Sequence, residues 1–397
     1  MFLQFFIWGG WFVTLGTYLA HSLGASGGQL GLAFATQSWG AIIAPLIVGR
    51  IADRFFNAER MLAVLHLAGA ALMFALFRAH RFEAFYPPLL GYMIVYMPTL
   101  ALANSVAFRQ MTDPSSEFAT VRVCGTIGWI AAGLSISLLF AWDSPAGLST
   151  GSLRNTFLMS GIASLVLGLF SFTLPRTAPL GGSAEQAGWK EILGIKALTL
   201  LRDRNFLAFF LSSILICVPL AFYYQNANQF LIEIHVANAT GKQTIGQMSE
   251  VLFMLLLPIF LKRFGMKATL LVGMAAWFVR YALFAYGDAY SGGSMLLVGI
   301  ALHGVCYDFF FVSGQIYTDS KAGAQYKSAA QGLITLATYG VGMLIGFWAA
   351  GVISDLYVTG GLHDWRSIWL WPAAFAAVVF SFFLFTFRNE PIRYEPT

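Results

Sequence analysis

The sequence predicts an all-α polytopic membrane protein with twelve transmembrane helices in two pseudo-symmetric bundles of six. Three observations predict it. First, 58% of the 397 residues are hydrophobic and only 10% are charged, whereas a soluble domain carries about a quarter charged residues. Second, apolar segments of about 20 residues, enough to span a bilayer, recur near 2–22, 28–50, 59–79, 85–108, 118–141, 154–175, 205–232, 244–262, 266–286, 293–317, 325–354 and 366–388. Third, the longest polar connection, Pro175–Asn205, divides those segments six and six. The expected organisation is an N-terminal bundle over 1–175, a cytoplasmic linker over 176–204 and a C-terminal bundle over 205–397.

The first segment follows Met1 directly as FLQFFIWGGW, with no basic stretch before it. It is expected to be retained rather than cleaved. Breaks between segments fall at charged and turn-forming clusters such as Asn57-Ala58-Glu59-Arg60, Asp113-Pro114-Ser115-Ser116 and Gly360-Gly361. Within the linker, Trp189–Leu201 has the pattern of a short amphipathic helix on the membrane surface. Sixteen of the 23 Lys and Arg residues lie in the loops after the even-numbered segments, in the linker and at the C-terminus. The positive-inside rule then places both termini in the cytoplasm. Cys124, Cys217 and Cys306 all sit in apolar segments and read as packing residues, with no disulfide framework and no metal-ligand spacing. Basic residues are scattered along the chain, so nucleic-acid binding is not expected. No cofactor motif, nucleophile elbow or phosphate loop is present, and no catalytic residue is assigned.

The two halves repeat. Arg54-Phe55 after the second segment and Arg263-Phe264 after the eighth are the same pair, and Arg122 entering the fifth matches Gln331 entering the eleventh. Parallel six-helix repeats with a central cytoplasmic loop describe the major facilitator architecture. Gly49-Arg-Ile-Ala-Asp-Arg54 resembles that superfamily's loop signature, although an ordinary charged turn would read alike. Asp53 is expected to pair with a basic group or a helix N-terminus on the cytoplasmic face and so latch one state, with Arg54 anchoring the loop: these are the gating candidates.

The most informative segment is Ile245–Leu261, an apolar run holding Gln247 and Glu250. A lone acid at membrane depth costs roughly 2.5–3.5 kcal/mol on insertion scales. It is kept where it faces protein or water and serves a function. Gln247 and Glu250 share a helix face at i and i+3. Candidate partners lie on several segments. Arg122, Thr126 and Trp129 align on one face of the fifth, where Arg122 either points inward or snorkels to the interface. The seventh is dense in polarity at Phe222-Tyr-Tyr-Gln225-Asn226-Ala-Asn228-Gln229, which reads equally as a binding surface or as the helix end at the interface. Arg280 lies in the ninth, and His303, Tyr307 and Asp308 in the tenth. Glu250, Arg280 and Asp308 buried on separate helices imply a charge network, since unpaired burial is costly. In the first segment Trp8, Trp11 and Tyr18 form an aromatic stripe, either packing or a stacking platform. In the fourth, Tyr92, Tyr96 and Asn104 read as helix packing, with a kink expected at Pro98.

Several stretches together resemble the nucleoside:proton symporter family of the major facilitator superfamily: FLQFFIWGGWFVTLGTYL, YMPTLALAN, RVCGTIGW, QMSEVLF, AWFVRYALFAYGD and YDFFFVSG. The resemblance covers nearly the whole chain. It implies that Arg122, Thr126, Trp129, Gln247, Glu250, Tyr307 and Asp308 line a nucleoside site. Two departures stand out. One alignment of the seventh segment puts Ala221 and Tyr224 where the family carries a Gln and an Asn; a shifted register would use Gln225 and Asn228. His303 replaces a residue that is commonly Tyr.

The implied function is proton-coupled nucleoside uptake across the inner membrane by alternating access, by a monomer in the lipid bilayer. Gln247, Thr126 and Arg122 would bind polar edges of the nucleoside. Trp129 and Tyr307 would stack on the base, each stack contributing roughly 1–3 kcal/mol. Glu250 or Asp308 would carry the proton, coupled through Arg122 or Arg280. The alternative is a facilitator or symporter for another small polar solute such as a sugar. An enzyme or receptor is disfavoured, because no sizeable soluble domain exists to hold one.

Overall fold

The computed structural model describes residues 1–47, 57–111, 114–177 and 195–389. Asp53 and Arg54, the gating candidates, lie outside the described residues. Each of the twelve expected segments is helical over most of its described length. Among the described residues, nine helices are long and apolar enough to cross a membrane. One of them, Ala239–Tyr286, runs 48 residues and covers two expected segments. It breaks at Gly265 (φ 77°, ψ 175°), a backbone conformation open to glycine because it has no Cβ. The first segment is two short helices, Phe2–Gly9 and Leu15–Leu23, with a turn between them. The Phe82–Arg109 helix continues through Pro98 rather than ending there.

The chain divides into two compact units. One comprises Met1–Gly188 with Ala237–Thr244, and the other Trp189–Val236 with Ile245–Thr397. In the first unit, Phe2–Gly9 lies directly on the Pro114–Leu134 helix. A Cβ at Gly128 would fall 2.2 Å from the Phe2 carbonyl oxygen, so a side chain there would force the two helices apart. Trp11 and Tyr18 settle the aromatic stripe as core. Trp11 is edge-on to Tyr92 at 5.5 Å, and Tyr18 is edge-on to Phe157 at 4.9 Å; both are buried. The Ala239–Tyr286 helix starts within this unit. Asp143 accepts from the Thr240 N–H (2.9 Å) and from the Ser137 hydroxyl (2.6 Å), satisfying one of the donors a helix start leaves open.

In the second unit, Asp203 caps the Arg204–Glu233 helix by accepting from the N–H groups of Asn205 (2.8 Å) and Phe206 (3.1 Å). Lys321 Nζ adds a contact to its other oxygen at 2.9 Å. Asn205 pairs reciprocally with the Arg388 backbone, tying the start of this helix to the end of the last one. Of the expected surface helix, 189–194 lies outside the described residues, and Ile195–Arg202 is a 3-10 helix. Ala197 is buried there against Ala322, Ala330 and Leu333, so this stretch packs on the Ser313–Thr335 helix. The core centres on Tyr281, Phe284 and Trp369, with the Tyr281 and Trp369 rings stacked at 5.5 Å. The Tyr281 hydroxyl donates to the Pro219 carbonyl. Cys217 and Cys306 are buried as expected, whereas Cys124 is exposed on its helix.

Candidate functional site

Glu250 is positioned by small residues on its neighbours. Gly304 N–H donates to Ser249 Oγ at 2.9 Å, and a Cβ on Gly304 would meet the Ser249 and Glu250 backbones at 2.5–2.6 Å. The Gly293–Tyr307 helix therefore lies against the first half of Ala239–Tyr286 at near-backbone contact. That closeness places His303 beside Glu250. His303 Nε2 lies 2.8 Å from Glu250 Oε1, and the Glu250 side chain keeps 19% of its surface exposed.

On its other side His303 Nδ1 lies 2.9 Å from Arg280 Nη1. Arg280 is fully buried. Its guanidinium carbon sits 3.5 Å from the centre of the Tyr223 ring, with the Trp277 and Phe284 rings at 5.7 and 5.6 Å. This aromatic cage stabilises the cation through the ring quadrupoles, while Arg280 Nε and Nη2 have no hydrogen-bond partner among the described residues. The hydrogen bonds run Arg280–His303–Glu250, and Asp308 is not hydrogen-bonded into them. Asp308 is 0% exposed, and neither of its oxygens has a hydrogen-bond partner among the described residues.

Asp308 opens a π-helical turn, Asp308–Val312. A second π segment, Leu336–Gly342, carries Tyr339, whose hydroxyl shares a 2.8 Å hydrogen bond with Tyr307. Such turns widen a helix by one residue and occur often at functional sites. Tyr307 is half-buried and tilted over Phe311 at 5.2 Å. Gln247, also half-buried, precedes Glu250 on the same face.

The Arg204–Glu233 helix carries the residues of both register alternatives. Gln225 is 1% exposed, and its amide lies 3.2 Å from both Phe347 O and Gly351 N, donating to the first and accepting from the second when its nitrogen faces Phe347. Both ends of that amide face the Met343–Leu356 helix. Asn226 does similar work through Ser354 Oγ at 3.0 Å. Asn228 is buried, while Tyr224, one turn before it, is half-buried.

In the first unit, Arg122, Thr126 and Trp129 are all half-buried along one face, and the neighbouring Val123 and Ile127 are exposed. The Arg122 guanidinium lies over the Phe5 ring at 4.2 Å. Trp129 meets Trp8 edge-on at 5.6 Å. Thus Phe5 and Trp8, on Phe2–Gly9, set the arginine and the tryptophan. That short helix is itself held by a buried network that sequence reasoning missed. Gln4 Nε2 donates to Thr99 Oγ1 (2.7 Å), Gln4 Oε1 meets His66 Nε2 (2.8 Å), and His66 Nδ1 meets Ser164 Oγ (3.1 Å). The Tyr96 hydroxyl donates to the Gln4 carbonyl at 2.6 Å. The available signal was a lone Gln and a lone His inside apolar runs, each needing a partner. Among the described residues no group of three or more His, Cys, Asp or Glu could hold a metal.

Ionisable side chains buried on closely packed, membrane-length helices mark ion pathways. With the two-unit helical architecture, they define a solute transporter of the major facilitator type. The comparisons agree. The sequence model of the nucleoside H+ symporter family matches residues 1–391. YegT, a candidate nucleoside transporter of Escherichia coli (strain K12), is 44% identical over 98% of this chain and 92% of its own length. The xanthosine permease of the same organism is 34% identical over 98% of this chain and 95% of its length. The crystal structure of the nucleoside transporter NupG superposes with a TM-score of 0.86 at 30% identity, covering 98% of this chain and 97% of that one. The chain belongs to the nucleoside H+ symporter family, and is a transporter rather than an enzyme.

Proposed function

We propose that this chain takes up nucleosides together with protons across the inner membrane by alternating access, with Asp308 as the group that carries the proton. The observation that carries the proton assignment is the contrast between the two acids. Glu250 has a donor in His303 and part of its surface exposed. Asp308 is enclosed without a hydrogen-bond partner among the described residues. An ionised carboxylate so placed would lose its hydration with no compensating contact, whereas its protonated form is tolerated. Asp308 is therefore neutral in this conformation, and releasing its proton requires a state in which water or a cation reaches it. That differential is what couples a proton to a conformational change.

Substrate recognition is assigned to half-buried groups, which offer polar atoms without being closed off. Arg122 and Thr126 of the first unit, and Gln247 and Glu250 of the second, would bind the polar edges of the nucleoside. Trp129 and Tyr307 would stack on the base. From the Arg204–Glu233 helix, half-buried Tyr224 and the buried amides Gln225 and Asn228 are the further candidates. Arg280 acts on coupling through His303. Asp53 and Arg54 keep their proposed role as a cytoplasmic latch, with both termini in the cytoplasm and the working unit a monomer. Residues 1–175 and 205–397 would form the two moving bundles joined by 176–204. The names of the relatives, a xanthosine permease and nucleoside transporters, favour nucleosides over sugars.

The test is uptake of labelled uridine, adenosine and xanthosine into proteoliposomes under an imposed pH gradient. Accumulation that a protonophore abolishes supports the reading. Uptake that ignores the gradient would remove the coupling role from Asp308 and Glu250. No uptake of any nucleoside would overturn the substrate class.

A further inference from the structure

We propose that His303 is a positioning residue of the symport reaction: Arg280 holds it as the neutral Nε2–H tautomer, in which it aims the Glu250 carboxylate and does not itself bind the transported proton. The argument is one of donors and acceptors. A guanidinium carries only donors and stays protonated in proteins. Arg280 Nη1 lies 2.9 Å from His303 Nδ1, so Nδ1 must present its lone pair. The ring proton is then on Nε2, which donates to Glu250 Oε1 at 2.8 Å.

A second ring proton would have to enter at Nδ1. It would turn an N–H···N hydrogen bond into two facing N–H groups and press two cations together in a buried site. The groups facing the ring offer no escape. Arg280 and Glu250 approach from the two halves of Ala239–Tyr286. From the Arg204–Glu233 helix, Tyr223 stacks on it at 5.4 Å. On its own helix, Tyr307 tilts against it at 5.8 Å. The one acid among them already receives Nε2–H. His303 is buried to 1% exposure, so water does not substitute for Arg280.

The arrangement also explains how a buried arginine without a direct carboxylate partner in its hydrogen-bond set is tolerated. Its counter-charge is reached through the imidazole, which accepts from Arg280 on one edge and donates to Glu250 on the other. One Glu250 oxygen is thereby fixed, while 19% of the Glu250 side chain stays exposed to whatever enters the site. His303 thus sets the orientation of a proposed substrate-binding acid, which makes it a determinant of affinity.

This inference rests on the symporter reading for its functional half, and the experiment separates the two. Histidine is labelled with 15N in the whole protein, in liposomes, and the His303 signals are assigned by their loss in His303→Gln. One protonated Nε2 and one bare Nδ1, unchanged over about two pH units around neutrality where a free imidazole titrates, is the expected result. A doubly protonated ring in that window, or an Nδ1–H tautomer, overturns the proposal whatever the substrate proves to be. Transport by two variants gives the functional readout. His303→Gln keeps an oxygen to accept and an N–H to donate but cannot titrate; gradient-driven accumulation is expected to persist within about threefold, a loss of under 1 kcal/mol, with the pH profile in place. His303→Phe keeps the ring on Tyr223 without either nitrogen. It is expected to raise KM by roughly tenfold or more, the scale of a lost hydrogen bond to a charged group, and to shift the pH profile. If His303→Gln abolishes accumulation while exchange survives, the ring carries the proton and the proposal fails; a silent His303→Phe removes the positioning role. Failure of the wild type to accumulate any nucleoside sinks the symporter reading and leaves the tautomer result standing.

Discussion

Each unit buries one histidine with both ring nitrogens engaged, and the two histidines do different work. His66 meets a Gln amide oxygen and a Ser hydroxyl, with Thr99 and Tyr96 completing the shell. Gln4, Ser164, Thr99 and Tyr96 all carry uncharged side chains. His303 has a guanidinium on one nitrogen and a carboxylate on the other. Burial and ring chemistry are matched, so the difference lies in the neighbours. Neutral partners satisfy the ring and fix a helix; charged partners make the ring a link between a cation and an acid. The lesson is that polarity at membrane depth is not by itself a sign of coupling. What the polar group touches decides whether it is scaffold or machinery.

The contrast can be broken most severely at Asp308. Asp308→Asn is expected to lower gradient-driven accumulation about a hundredfold or more, since the variant has no proton to carry, while nucleoside counterflow without a gradient persists. Retained accumulation would move the proton to Glu250. The two histidine sites should also separate by stability. Arg280→Met removes the counter-charge that reaches Glu250 through His303, at a cost of about 3–5 kcal/mol, the scale of removing one charged member of a buried network. His66→Leu strands Gln4 and Ser164, at a cost of about 1–3 kcal/mol. Thermal unfolding in detergent should rank them in that order. The pH profile of uptake should move only for Arg280→Met; a shift in His66→Leu would place His66 in the coupling machinery and erase the contrast.

The smallest effect lies outside both sites, at Asp203. Burial opposes its ionisation, but the Lys321 ammonium and the N–H groups of Phe206 and Asn205 outweigh that and hold its carboxyl below the usual aspartate range. A carboxylate so lowered contributes its stability fully above the ordinary Asp pKa, and loses it as pH falls through the lowered value. Asn caps as well as Asp, so Asp203→Asn should destabilise by about 0.3–1 kcal/mol at neutral pH, the scale of a lost surface ion pair and helix-dipole contact. The gap should close in acid, measured as the difference in unfolding midpoint between the two proteins.

Much of this was legible in the chain itself. Apolar runs of bilayer length, the long polar connection and the matching pairs 209 residues apart give the helices and their repeat, because the bilayer admits few ways to satisfy a backbone. The cost of an ion in hydrocarbon singled out Glu250, Arg280 and Asp308 without coordinates. Which of them pair was decided only in three dimensions. The near-contact of Gly304 with the Ser249–Glu250 backbone brings His303 to Glu250, and helix spacing written in one sequence does not specify such a distance. The same holds for Gln225, whose spacing suggested a binding face but whose amide closes on Phe347 and Gly351. It holds again for the Gln4–His66–Ser164 network, whose members lie on three separate segments. Sequence alone determined that charges had to be buried, since hydrophobicity is a local property of each segment. The tertiary structure decided which charge each one answers, since a hydrogen bond forms only between atoms that packing brings within about 3 Å.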